Sequence, residues 1–395
     1  MSRLTLLASL AALLVLLGAG CGSKEHASSA ARRVQPATST PSASPPRAAR
    51  PQAVAATGVP PLLDPHDVYA ADRPGRLSPV VRSFPARVYV PNSASNTVDV
   101  IDPSTYKVVD HFPVGGLPQH IAPSYDLKRL WVTNDLGNSL TPLDPATGRR
   151  GAPVPVEDPY NLYFTPDGRF AIVVAERLHR LDFRDARSMR LRRSLSVPCA
   201  GVDHMDFTAD GSHALVSCEF SGTMLWIDVQ AQRVARTLQL RPGSMPQDVK
   251  LSPDGATFYV ADQTAGGVYL IDAHDPRVER FLPTGPGAHG LYASRDSRSL
   301  YVSNRRGGSV SLVSFATRKV TQTWTIPGGG SPDMGGVSAD GKVLWLTGRY
   351  NAEVYALDTT SGRLLARIPV GSGPHGLCVY PQPGRYSLGH TGVFR

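Results

Sequence analysis

Cysteine is scarce in this chain, with four residues in 395, too few to staple a scaffold of this size together. Charged residues are also sparse, at 18%, but a hydrophobic content of 41% is too high for a mainly disordered chain. The formal net charge is only +9; residues 1–80 hold eight basic and four acidic side chains, leaving +5 for the rest. Such a mild excess, with no basic stripe interleaved with aromatics, gives no reason to expect a nucleic-acid partner. No C-x-x-C-H, G-x-S-x-G or G-x-x-x-x-G-K-[ST] occurs, so covalent haem, a nucleophile elbow and a phosphate-binding loop find no support. The longest apolar run, Leu4 to Leu17, is shorter than the roughly 20 residues a membrane-spanning helix needs. What is plentiful is turn chemistry: 37 Gly and 35 Pro argue against a largely helical protein.

The N-terminal segment reads as a secretory signal. Arg3 precedes the apolar stretch, and the small residues Gly18, Ala19 and Gly20 lead to Cys21. The run LLGAGC resembles a bacterial lipoprotein signal, although Gly18 stands where Leu is usual and Leu17 lies one place further back. The resemblance implies cleavage after residue 20, acylation of Cys21, and export to the outer face of the bacterial cytoplasmic membrane, with the membrane as a partner through the lipid anchor. The expected domains are a signal over residues 1–20, an Ala/Pro/Ser-rich tether and lead-in over 21–80, and a folded domain over 81–395. Within the lead-in, Leu62 to Ser83 carries apolar residues that could pack on the fold.

Beyond Arg82 an internal repeat dominates. A short apolar strand recurs as VYVPN from Val88, LWVTN from Leu130, AIVVA from Ala171, ALVSC from Ala214, FYVAD from Phe258, LYVSN from Leu300 and LWLTG from Leu344. Successive starts lie 42, 41, 43, 44, 42 and 44 residues apart. Turns such as Pro166-Asp167-Gly168 precede most copies, and an alternating strand such as TVDVID or GVYLID follows. Four short antiparallel strands at this period predict an all-β, seven-bladed β-propeller. PHGLCVY, Pro374 to Tyr380, reads as an innermost strand without followers, while VYVPN lacks one before it. The C-terminal segment should therefore complete the first blade and close the ring. The repeated VYVPN, LWVTN and LYVSN strands, followed by VIDP or LDPATG, resemble the YVTN-repeat, YncE-like propellers of exported bacterial proteins over about Arg87 to Tyr380. That resemblance implies a fold and no single reaction.

Cys199 and Cys218 flank a hairpin centred near Asp210-Gly211, which brings them to the same end of blade four; a disulfide or two buried thiols both suit that placement. Cys378 reads as core.

In a propeller the start of each innermost strand contributes to a ring around the channel. The aligned pairs are Gln119-His120, Tyr160-Asn161, Asp203-His204, Gln247-Asp248, His289-Gly290, Asp333-Met334 and His375-Gly376. The ends of the second strands add Asp135, Glu176, Glu219, Asp262, Arg305 and Arg349, with carboxylates on blades two to five and arginines on six and seven. One reading is a ligand site in which Arg305 and Arg349 receive an anionic group, while histidines and carboxylates hold a divalent metal, with His204, Asp248 and His289 as its candidates, or shuttle protons. The other is that a solvated channel needs polar lining in any case. No other cofactor is expected. The functional expectation is a membrane-anchored binding or interaction scaffold, its partner a small anionic ligand or an envelope protein. The alternative is an extracytoplasmic enzyme, a metal-dependent oxidoreductase or a lactone hydrolase, using the same ring.

Overall fold

A computed structural model describes residues 58–390 and 394–395. The signal, Cys21 and most of the tether lie outside the described residues. The rest forms seven four-stranded antiparallel sheets, six of consecutive strands and one in which β28 (Cys378–Tyr380) joins β1 (Arg87–Asn92) and the two strands after it. Blade one is thus built from both ends of the repeat region, as the orphan PHGLCVY strand predicts. The described residues contain no α-helix, only two short 3₁₀ turns at Ala70–Asp72 and Glu219–Ser221, and among them no helix is long and apolar enough to cross a membrane.

Period-two alternation explains why the blades stack. Successive side chains of a strand point to opposite faces. In blade two, Leu130 and Val132 pack with Tyr89 and Phe112 of blade one, while the intervening Trp131 packs with Leu162 and Phe164 of blade three. The same division recurs in blade seven, where Leu344 and Leu346 face blade six and Trp345 faces blade one. Seven apolar clusters result, one at each junction between blades, so the core is itself a ring.

The recurring Asn has a local task. Asn92, Asn134 and Asn304 each donate through Nδ2 across the following hairpin, to Thr97 and Asp99, Ser139 and Thr141, and Ser309 and Ser311, at 2.9–3.1 Å. These bonds lock the upper hairpin of blades one, two and six.

The lower ends of the inner strands are covered. Residues ahead of β1 cross beneath the ring, with Val68 and Tyr69 in the core between blades four and five, the Tyr69 hydroxyl donating to the Leu251 carbonyl at 2.6 Å, and Asp72 paired with Arg295 at 2.5 Å. The folded body therefore begins ahead of residue 81, the boundary expected from sequence. The segment after β28 crosses from the other side. Ser387 bonds the Pro123 carbonyl, Gly389 bridges Tyr163, and the buried Arg395 reaches Asp206 at 3.1 Å and the carbonyls of Phe207 and Thr208.

Candidate functional site

The inner strands β4 (Pro118–Pro123), β12 (Val202–Phe207), β16 (Pro246–Leu251), β20 (Ala288–Ala293) and β24 (Pro332–Val337) break register with their neighbours at two residues each. Those residues are 119–120, 203–204, 247–248, 289–290 and 333–334, the ring positions aligned above. A bulge re-aims side chains and leaves main-chain groups without ladder partners. The hydroxyl of the repeat strand compensates: Thr133 Oγ1 accepts from the His120 N–H at 3.0 Å, Ser217 Oγ from His204 at 3.0 Å and Ser303 Oγ from Gly290 at 2.8 Å. Blade three has Val174 at the equivalent place, and there Asn161 stays in register opposite it. The Thr or Ser of the repeat thus supports the bulge in blades two, four and six, although blade five bulges opposite Ala261 without a hydroxyl.

Five histidines meet in the channel. His120 lies 4.8 Å from His375, 4.8 Å from His390 and 5.3 Å from His204, centroid to centroid, and His289 lies 5.8 Å from His375. All five are buried. A Cβ at Gly376 would collide with the His120 imidazole, so glycine there makes room for the ring. His390 belongs to the segment that crosses beneath the ring, and sequence alignment missed it because that segment is outside the repeat. The available signal was apolar content: Tyr386, Leu388 and Phe394 are too hydrophobic for a free end.

The channel has two unlike halves. On one side Asp203 Oδ1 approaches His204 Nδ1 to 2.6 Å without a well-directed hydrogen bond, and both ring nitrogens of His120 and of His390, and His204 Nε2, have no hydrogen-bond partner. On the other, Arg305 holds Asp333 through Nε at 2.7 Å and Nη2 at 2.6 Å, with His289 Nδ1 at 3.1 Å and His375 Nε2 at 3.6 Å from the same carboxylate. Burial above all, then neighbouring positive groups, holds His120, His289, His375 and His390 well below the usual imidazole range. Burial, the largest effect, works against charge on His204, but Asp203 together with Asp248 and Glu219 outweighs it and the ring is raised. Burial raises the Asp333 carboxyl against the pull of Arg305 and Arg349.

Above the ring lies an acidic arc. Burial, then the carboxylates of Asp203, Glu219 and Asp135, pushes Glu176 up to about 8. Burial, then Asp203, takes Glu219 to about 7, and burial with Asp158 takes Asp135 to about 7.

Several expected site residues have other tasks. Both Asp248 oxygens accept main-chain N–H groups, from Val249 and from Leu291 of the next blade, at 2.9 Å. Asp248 therefore stitches two blades, and the metal set His204, Asp248, His289 is not assembled. Asn161 is turned to the Leu162 N–H and the Tyr163 hydroxyl. Arg305 is committed to Asp333 and does not stand ready for an anion, whereas Arg349, half-buried at the entrance, donates through Nη1 to Ser93 Oγ at 3.2 Å and the Gly373 carbonyl at 3.1 Å. Gln263, not Asp262, matches Asp135 and Glu176 in register, for Asp262 pairs with Gly267 and caps the turn after it. Cys199 and Cys218 form a disulfide with an S–S distance of 2.07 Å, while Cys378 is a buried thiol outside that disulfide. Two G-x-G-x-x-G spacings, Gly285 to Gly290 and Gly371 to Gly376, each run from a turn into an innermost segment with no helix after it, so neither offers the helix terminus that binds a dinucleotide.

Solved structures share the architecture. Hydrazine synthase of Kuenenia stuttgartiensis superposes with a TM-score of 0.62 at 18% identity, covering 74% of this chain and 97% of that one. A protein of unknown function from Desulfotomaculum acetoxidans gives 0.63 at 14%, covering 73% and 98%. A putative 6-phosphogluconolactonase from Bacteroides uniformis gives 0.59 at 16%, covering 74% and 99%. At these identities the likeness is one of fold. No curated protein matches the sequence. The YNCE-like beta-propeller model matches residues 57–384, and with its closed ring of seven blades the chain belongs to the YNCE-like beta-propeller family.

Proposed function

We propose that the protein is an exported binding propeller, held by a lipid on Cys21 at the outer face of the bacterial cytoplasmic membrane, that seats a small polar ligand in its channel. One observation carries the reading. The channel is covered below by the segments on either side of the blades, yet several of its buried polar atoms have no protein partner: the imidazoles of His120 and His390, His375 Nδ1 and the outer oxygen of Asp333. A buried polar atom left unmatched costs about 1–3 kcal/mol, so a lining that concentrates them is built for an occupant. The half-buried Glu176, Glu219, Gln263 and Arg349 stand at the upper entrance and would screen what enters, with Arg349 favouring an anionic group.

A thermal-shift series with small carboxylates, phosphates and neutral sugars tests the seat. An anionic compound should raise the melting temperature of the wild type and not that of Arg349→Ala. Equal shifts in both proteins, or none from any compound, would overturn the entrance as a ligand seat. Labelled palmitate should enter the wild type and not Cys21→Ala.

A further inference from the structure

Two clusters in the channel bring three potential ligand atoms within 4.8 Å of one another: His120, His204 and His390 in one, His289, Asp333 and His375 in the other. They are not equivalent as metal sites. In the second, the only carboxylate is held by two N–H groups of Arg305. A guanidinium in that position already neutralises the site and would repel a cation.

The first cluster has the opposite character. Its three imidazoles come from three separate parts of the chain: blade two, blade four and the segment after β28. All three are buried. His120 and His390 use neither ring nitrogen in a hydrogen bond, and His204 Nε2 is equally without a partner. Unpartnered imidazoles facing one another at van der Waals distance have nothing to gain from that arrangement in the absence of a shared occupant. On the far side of His204, Asp203 stands 2.6 Å from Nδ1. A carboxylate this close to one ring nitrogen favours the proton there and leaves the other nitrogen as the donor, and a small rotation would complete the hydrogen bond that usually supports a metal-binding histidine.

We propose that His120, His204 and His390 form a three-histidine site for a late first-row transition metal, copper or zinc, oriented by Asp203. This deepens the channel reading above and rests on it. Three neutral nitrogen donors suit these ions and not calcium or magnesium, which take oxygen. Nitrogens bound to one zinc at 2.0–2.1 Å would stand roughly 3.3 Å apart, so atoms that now lie within 4.8 Å of one another need to draw together by up to about 1.5 Å. A fourth position is left for water or for the ligand of the channel. The ion would also pin the crossing segment to blades two and four through His390.

The test uses the full-length chain, untagged and purified without chelator, with metal measured by mass spectrometry and then offered as Zn²⁺ or Cu²⁺. Near one ion per chain is expected, removed by chelator and restored on addition, with a higher melting temperature when bound. His120→Ala, His204→Ala and His390→Ala should each abolish stoichiometric binding, and His289→Ala should keep it. Asp203→Asn, which keeps all three ligands, should weaken binding about 10- to 100-fold. Should the alanine variants fail to fold, Cu²⁺ electron paramagnetic resonance on the wild type provides an independent readout, with coupling to three nitrogens expected. Binding that survives in His390→Ala, or coupling to fewer than three nitrogens, would overturn the assignment. If the wild type takes no metal while an anionic compound still shifts it and not Arg349→Ala, the metal assignment fails alone; if neither binds, both readings fail.

Discussion

The two halves of the channel are both built from histidines and an aspartate, most of them on the bulged inner strands of different blades, and they differ in whether an arginine grips the aspartate. Where Arg305 reaches in, the carboxylate of Asp333 is matched by a permanent cation and the histidines beside it are bystanders to an ion pair. Where no arginine reaches in, Asp203 stands beside His204 and within the electrostatic reach of Glu176 and Glu219, and both ring nitrogens of His120 and His390 and His204 Nε2 are left without hydrogen-bond partners. The comparison teaches that a ring of histidines and aspartates does not by itself define a site; the counter-ion that each blade does or does not supply decides which half is structural and which is open to an occupant.

The largest break in this contrast should come from Arg305→Met. Removing one partner of a buried pair leaves Asp333 uncompensated, a loss of about 3–5 kcal/mol in urea unfolding, with the His120 half unchanged in metal binding. Next is the disulfide of blade four, beside His204. Cys199→Ala with Cys218→Ala should lower stability by about 3 kcal/mol, as expected for closing a loop of this length. A smaller effect tests the bulge itself: Thr133→Val removes the hydroxyl that receives the His120 N–H, should cost about 1–3 kcal/mol, and should weaken metal binding through misplacement of His120. The same change at Ser303, in the arginine half, should cost similar stability and leave metal binding alone.

The smallest effect is one of pH. Glu176 and Glu219 have folded pKa values raised to about 8 and about 7, above those of an unfolded chain. The folded state therefore holds more protons between about pH 5 and 8, so stability falls as pH rises through that window. Because both groups are half-buried, the change should be on the order of 1 kcal/mol after solvent screening. Thermal melts of Glu176→Gln should show a flatter pH dependence than the wild type; an unchanged slope would remove Glu176 from the acidic arc.

Much of this was legible before any coordinates. Seven strands spaced 41 to 44 residues apart dictate seven blades, and an inner strand without followers dictates the closure. The ring was readable because each bulge sits at a fixed distance from its turn. What sequence could not show was what each ring side chain touches. Asp248 reads like a metal ligand, but its oxygens serve two main-chain N–H groups that a neighbouring blade brings near. Arg305 reads like an anion clamp, yet Asp333 sits across a blade junction from it. His390 had no repeat to be aligned with, so no period could place it beside His120.

That last histidine has a consequence for how the protein is made. His390 follows His120 by 270 residues in the chain, 390 minus 120, and the segment that carries it follows β28, which pairs with β1. Contacts between such distant segments form late, because the loop between them must close first. During synthesis the early blades can stack in order while the channel still lacks its third imidazole. The proposed ion can then be captured at full strength only by a finished ring, which makes metal retention a check on completed assembly.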